Sequence, residues 1–367
     1  MILGPPRTRS LLAVLSAAVL VAVTGCSGGS APPPVEATES PTHSPSGPRA
    51  ADPSSIPPDP VPPAALTQKR PGWALDRIDQ RQRPLDKRFT TIGQGQGVTV
   101  YVVDGLFDVT NAEFDGRASV GLKRGRACVL EDGTNHGLFV AGLVAGRRTG
   151  VAKQATIVLV GSSNGCEGGN GDESEAESAA RVVRALTWVA DHARRPAVVN
   201  LSLNVDPPAP DVTAGVQRLI KAGLTVVASA GNSGEDACRH PPAGLPTVVT
   251  AGASTKADKD AGLNHGRCVD LYAPAEGVTS VADPQIAPDR LVTSDVAATS
   301  WAAPFVSGAA ALYLAVHPDA SPAEVRAWLV DNATTGAMRG PLHGSPDRLL
   351  FVGGPGQAQV DPATNRP

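Results

Sequence analysis

Aromatic side chains are scarce in this chain. Trp, Tyr and Phe make up 4% of 367 residues, against 39 Gly and 34 Pro. That balance predicts turn-rich α/β structure with an unfolded segment attached. Charge of one sign is lacking as well. A net charge of −3 leaves no electrostatic footprint for nucleic acid, which is not expected as a partner. No internal repeat is visible. No cysteine pair has C-x-x-C spacing, which argues against a zinc site. After the first 25 residues no segment reads as long and apolar enough to span a membrane. What is present is a 41% hydrophobic fraction, ordinary for a chain with a real core, on a length that holds one large domain plus appendages or two medium ones.

The N-terminus reads as an export signal. Arg7 and Arg9 precede an apolar run from Leu11 to Val23, which ends at Val23-Thr24-Gly25-Cys26. Small residues before a cysteine match a bacterial lipobox, so residues 1–25 are predicted to be removed and Cys26 to be lipidated. The acyl chains would hold the protein at the outer face of the bacterial cell membrane, in an extracytoplasmic location. The alternative is an ordinary signal peptide with an incidental cysteine. Four cysteines remain: Cys128, Cys166, Cys238 and Cys268. An even number in an exported chain predicts two disulfides, with three connectivities open on spacing alone.

Residues 26–70 are rich in Pro, Ser, Ala and Thr, as in Ala31-Pro32-Pro33-Pro34, and predict a disordered, partly extended linker. Residues 71–352 then alternate between short apolar runs and helical patterns. Strands are expected at Val98–Val103, Thr156–Val160, Val198–Leu203, Leu224–Ala228 and Thr247–Ala251. Helices are expected at His136–Ala145, Glu175–Ala193, Asp211–Ala222 and Ser300–Val316, with another opened by the Ser321-Pro322-Ala323-Glu324 capping box. Such alternation predicts a three-layer, doubly wound α/β domain with a mainly parallel central sheet. Residues 353–367 return to Gly, Pro and polar composition and predict a flexible tail.

Three segments carry residues suited to nucleophilic catalysis. Val98–Asp104 is a buried strand ending in a carboxylate, Asn135-His136-Gly137 opens an apolar helix, and Ala298-Thr299-Ser300-Trp301 opens another. An activated hydroxyl needs a base to take its proton and a carboxylate to orient that base. A strand end can deliver the carboxylate, and a helix N-terminus can aim the N–H of Ser300 at a developing oxyanion. Taken singly, each is commoner as a cap, a turn or a surface residue. An α/β-hydrolase esterase would need Gly-x-Ser-x-Gly, and Ala298-Thr299-Ser300-Trp301-Ala302 has neither glycine.

Together with Trp73-Ala74-Leu75-Asp76-Arg77-Ile78-Asp79-Gln80, Asn200-Leu201-Ser202-Leu203 and Ser229-Ala230-Gly231-Asn232, these motifs resemble the subtilisin family of serine proteases (peptidase S8). The proteinase K and aqualysin branch is the nearest in pattern. The resemblance runs from about Gly72 to about Thr334 and implies a subtilisin-like peptidase domain. It implies Asp104, His136 and Ser300 as the triad, with the Asn232 side chain and the Ser300 N–H forming the oxyanion hole. It further implies a substrate cleft walled by Ser202 and Leu203 on one side and by Ala228, Ser229, Ala230 and Gly231 on the other. Small side chains on that second wall predict room for a sizeable apolar or aromatic substrate residue. Disulfides Cys238–Cys268 and Cys128–Cys166 follow from the same likeness. Catalysis would need no cofactor. Asp270 with the carbonyls of Pro246 and Val248 is either a structural calcium site or, for Asp270, an ordinary strand-end residue.

The chain departs from the family pattern at Gly105, Leu138, Asn204, Ala298 and Trp301. Residues 27–70 also lack the composition of a folded propeptide. The expected activity is therefore that of a secreted, membrane-tethered serine endopeptidase, monomeric and acting on polypeptides. The alternative is a catalytically weak or inactive pseudoprotease that binds peptides as a lipoprotein.

Overall fold

The structure, a computed structural model, describes residues 66–130, 134–163, 165, 174–205, 209–283 and 290–354. The signal peptide, Cys26, most of the linker, Cys166 and the tail beyond residue 354 lie outside the described residues. The chain opens with β1 (Leu66–Lys69), α1 (Trp73–Ile78) and β2 (Arg88–Thr91), and β1 pairs antiparallel with β2. Paired structure is therefore present at the end of the span read as linker. There follow β3 (Thr99–Asp104), β4 (Ala118–Leu122), α2 (His136–Ala145), β5 (Thr156–Gly161), α3 (Glu175–His192), β6 (Ala197–Leu201) and α4 (Pro210–Lys221). The remainder is β7 (Thr225–Ser229), β8 (Val249–Ser254), β9 (Leu271–Pro274), the β10 (Thr279–Val281) and β11 (Leu291–Thr293) pair, α5 (Thr299–Val316) and α6 (Pro322–Asp331).

Seven of these strands form one sheet in the order β4-β5-β3-β6-β7-β8-β9, parallel at every pairing. The inner strands read as largely apolar runs because both faces of the sheet are covered there. Val100 and Val102 of β3 pack with residues of α2 and α5, whereas Tyr101 and Val103 pack with those of α3 and α4. Helix, sheet, helix is the three-layer α/β architecture that the sequence predicts. The chain leaves β3 toward β5 on one side and β6 on the other. Ligands of open α/β sheets bind at the carboxyl ends of strands beside such a reversal.

The helices start where local chemistry says they should. Capping boxes close the N-termini of α3 (Ser174 with Glu177) and α6 (Ser321 with Glu324). Helix α5 corrects one expectation. By length and apolar composition it passes as a membrane span, but 83% of it is buried inside the protein. It is the core helix, packed against the sheet and α2. A second correction concerns β6, which ends at Leu201 rather than Leu203. Ser202 leaves the ladder because its hydroxyl bonds to α5.

Candidate active site

Asp104 ends β3 at the reversal of strand order, with its side chain buried. Its Oδ1 accepts from the Gly105 N–H at 2.6 Å. Both carboxylate oxygens face His136 Nδ1, at 2.9 and 3.0 Å. His136 is the first residue of α2, whose N-cap Asn135 accepts from the Leu138 N–H at 3.1 Å. One loop steadies both groups. The Arg126 carbonyl accepts from the Leu106 N–H, and the Cys128 carbonyl accepts from the His136 N–H. This contact explains Gly105. A Cβ there would stand 2.7 Å from the Cys128 nitrogen and 3.2 Å from the Arg126 oxygen, so no side chain fits. The Gly105 N–H still bonds the carboxylate, so Asp104 keeps a backbone donor.

Ser300 is the second residue of α5, and Pro304 lies inside that helix. Proline has no N–H to offer the carbonyl four residues back, which here belongs to Ser300. The Ser202 hydroxyl supplies the missing bond, donating to the Ser300 carbonyl at 2.9 Å. In turn the Ser300 hydroxyl donates to the Ser202 carbonyl at 3.3 Å. A buried chain extends from this point. Asn200 Nδ2 donates to Ser202 Oγ at 2.9 Å, and Ser307 Oγ donates to Asn200 Oδ1 at 2.8 Å. Asn200 and Ser307 are wholly buried, so each unmade bond would carry a desolvation cost. The chain of bonds therefore locks β6 to the start of α5.

Asn232 caps α5 from outside. Its Oδ1 accepts from both the N–H and the hydroxyl of Thr299, each at 2.9 Å. Because both partners donate, the oxygen assignment is fixed and Nδ2 is left as a donor. The Ser300 N–H sits in the first helical turn and has no intrahelical acceptor. Gly231 stands at φ +107°, where a Cβ would come within 2.2 Å of Asn264 Nδ2, and its N–H donates to Thr299 Oγ1 at 3.0 Å. The extended conformation of Ala298, at φ −149°, explains why alanine is tolerated there without strain.

The two walls read from sequence lie side by side. Leu201 pairs with Ala228 as the last register of β6 with β7. Ser202 and Leu203 continue one strand, and Ser229, Ala230 and Gly231 the other. Several neighbours were not singled out for their roles in the sequence: Thr299 orients Asn232, and Trp301 presents its ring to His136 with centroids 5.0 Å apart. Trp301 also packs on Phe139 at 4.4 Å and donates to the Val296 carbonyl at 3.1 Å. Proximity to Ser300 in the sequence was the available signal for both. Asn204 bonds across the gap between the walls, which only the fold reveals.

Cys238 and Cys268 are joined by a disulfide. Cys128 is disulfide-bonded as well, and Cys166, its expected partner, lies outside the described residues. The calcium expectation does not fit. Asp270 Oδ2 accepts from the Thr250 N–H at 2.9 Å, and Oδ1 is taken by the Arg326 guanidinium. Each oxygen thus already holds a donor, and the fixed Arg326 cation at Oδ1 opposes a second cation at this carboxylate. Burial nonetheless holds the Asp270 carboxyl above its ordinary range, with the Thr250 N–H and Arg326 pulling the other way. Among the described residues no group of three or more His, Cys, Asp or Glu side chains could hold a metal.

Comparison with known proteins gives the family to which this fold belongs. The Subtilase family, Peptidase_S8, matches residues 95–346, well over half of the chain. An extracellular serine proteinase of Thermus sp. (strain Rt41A) is 38% identical over 293 residues, covering 79% of this chain and 68% of that protein. The alkaline serine exoprotease A of Vibrio alginolyticus is 35% identical over 296 residues, covering 80% of this chain and 52% of that protein. The crystal structure of a cold-adapted subtilisin-like serine proteinase superposes with a TM-score of 0.67 at 32% identity, over 77% of this chain and 99% of that one. On fold and relatives together, the chain belongs to the subtilase family of serine endopeptidases, on its proteinase K and aqualysin side.

Proposed function

We propose that the chain is an exported, membrane-tethered endopeptidase in which Ser300 is the nucleophile, His136 the general base and Asp104 the residue that orients His136. The observation that carries this reading is the close approach of His136 Nδ1 to both Asp104 oxygens, at 2.9 and 3.0 Å. It fixes the proton on Nδ1 and leaves Nε2 as the acceptor. When a peptide enters, the Ser300 hydroxyl turns from the Ser202 carbonyl toward Nε2, a tightening common between free and occupied sites. Ser300 Oγ attacks the carbonyl carbon as its proton passes to Nε2. The Asn232 amide and the Ser300 N–H stabilise the resulting oxyanion. Collapse breaks the C–N bond, with Nε2 returning the proton to the leaving amine. Water then hydrolyses the acyl-Ser300 ester by the same proton route, regenerating the hydroxyl. No cofactor enters any step.

Lipidation at Cys26 supplies the tether in this reading, and 26–70 the spacer. Export is supported by the name of the Thermus relative, which is called extracellular. The substrates are then extracytoplasmic polypeptides, and the protein acts as a monomer. Two assays test the proposal. The purified chain is expected to hydrolyse chromogenic peptides, and Ser300→Ala to abolish turnover. A wild-type chain that binds peptides without turning them over would instead be the peptide-binding alternative. For the tether, Cys26→Ser is expected to move the protein from the membrane fraction to the medium; continued membrane association would count against it.

A further inference from the structure

After the Leu201–Ala228 pair, β6 and β7 part company. Both continuations touch the start of α5. The Ser202 carbonyl accepts from the Ser300 hydroxyl, and the Gly231 N–H donates to Thr299. The gap between Ser202–Asn204 and Ser229–Gly231 is therefore the space nearest the nucleophile on that side. The likeness to the subtilisin family implies that the residue carrying the attacked carbonyl sends its side chain into this gap.

That space is spanned. Asn204 Nδ2 donates to the Ser229 carbonyl at 3.1 Å, and the Ser229 hydroxyl donates back to Asn204 Oδ1 at 3.3 Å. On the far side, a Cβ at Gly231 would stand 3.4 Å from Asn204 Oδ1, so the carboxamide lies against the glycine's open face. The Ser229 hydroxyl also lies 3.5 Å from the Leu203 carbonyl and has one proton for the two acceptors, so the Nδ2 bond at 3.1 Å is the firmer hold on the amide plane. Ser229 is buried, at 1% exposure, so displacing Asn204 strips a buried carbonyl of a partner.

We propose that Asn204 is a specificity-determining residue that bars this gap and restricts the residue carrying the attacked carbonyl to a small side chain, glycine or alanine. The inference rests on the hydrolytic reading above and narrows it. It replaces the expectation, drawn from the small residues Ala228–Gly231, that a large apolar or aromatic side chain is accepted. A large side chain can enter only by breaking both bonds, which costs about 10–100-fold in binding for a buried group left unpaired. Glycine at 204 removes the bar. Asn204 is not at a positive φ, so either glycine or alanine is compatible with its backbone.

The test uses the full-length chain with Asn204, Asn204→Gly or Asn204→Ala, and two peptides differing only by alanine or phenylalanine at the residue before the scissile bond. Their kcat/KM values are compared, and binding of the same peptides is measured by calorimetry with Ser300→Ala added to each chain. With Asn204 present, alanine is expected to be preferred by about tenfold or more, and Asn204→Gly to raise the phenylalanine-to-alanine ratio by about 10–100-fold. Asn204→Ala is expected to move it the same way. A ratio unmoved by both variants, or equal use of phenylalanine by the parent chain, overturns the inference while leaving hydrolysis standing. If nothing is cleaved but the binding ratio shifts as expected, hydrolysis fails and Asn204's role holds. Absence of both turnover and binding removes both.

Discussion

Asp104 and Asp270 are two buried carboxylates at strand ends of one sheet, and they have opposite kinds of partner. Asp104 ends β3 at 5% exposure and faces an imidazole, His136. Asp270 precedes β9 at 6% exposure and faces a guanidinium, Arg326. Burial imposes the same desolvation demand on each. The partner decides what the pair can do. An imidazole gains and loses a proton near neutral pH and can hand it to a neighbour, whereas a guanidinium stays charged and can only hold. The first pair lies at the reversal of strand order, with the His136 ring 5.0 Å from that of Trp301, the residue after Ser300. The second ties α6 to the loop before β9.

The comparison can be broken from either end. Asp104→Asn should lower kcat by about 10⁴, the size of effect seen where the orienting carboxylate of a triad is neutralised, with little change in the melting midpoint. A large loss of stability with activity retained would reverse the roles of the two sites. Asn232→Ala should cost about 10²–10³ in kcat, a magnitude that itself comes from a subtilisin, and peptide affinity measured on the Ser300→Ala background should barely change. Arg326→Ala should do the opposite of both. It is expected to leave catalysis intact but lower stability by about 1–3 kcal/mol at neutral pH, read by denaturant unfolding, because it strands a buried carboxylate beside a half-exposed opening. Its loss should shrink on acidification, since protonating Asp270 removes the stranded charge. A loss independent of pH would point to packing instead.

The smallest effect expected concerns a third buried charge with no bonded counter-ion. Lys153 donates to the Gly150 carbonyl at 2.8 Å and lies over the Phe89 ring at 5.5 Å. Burial pushes its amine down to about 7. The unfolded chain therefore holds this proton up to the ordinary lysine range while the folded chain releases it near 7. Stability from this residue rises with pH across that window. Lys153→Met should raise the melting midpoint by a few degrees below pH about 7 and progressively less above it. A pH-independent shift would show instead that the folded and unfolded chains hold the Lys153 proton equally across the range measured.

Much of the fold is legible because the strands and helices of an α/β sheet differ in period and length. Helix α2 was read to both ends, since Asn135 caps it and its apolar run stops at Gly146. Elements without such signals were missed. β4 reads Ala-Ser-Val-Gly-Leu, an edge strand with little apolar character, and β9 has only four residues. The positions of Asp104, His136 and Ser300 were legible as motif residues at element ends. Contacts made across the fold were not. Nothing near Ser202 in the sequence says that its hydroxyl replaces the bond Pro304 cannot make. Gly105 read only as a departure from the family pattern, and the packing of Arg126–Cys128 shows why a side chain is excluded there. Asp270 read as either a calcium ligand or an ordinary strand-end residue, and its partner Arg326, 56 residues away in sequence, was not visible.

Covalent labelling of the wild-type chain by an organophosphorus or sulfonyl fluoride reagent, beside Ser300→Ala and read by peptide mass spectrometry, tests the nucleophile directly. A single adduct on Ser300 in the wild type, lost in Ser300→Ala and sharply slowed in Asp104→Asn, is the expected result. Labelling that persists without Ser300, or a wild type that never reacts, would contradict the assignment of Ser300 as an activated hydroxyl.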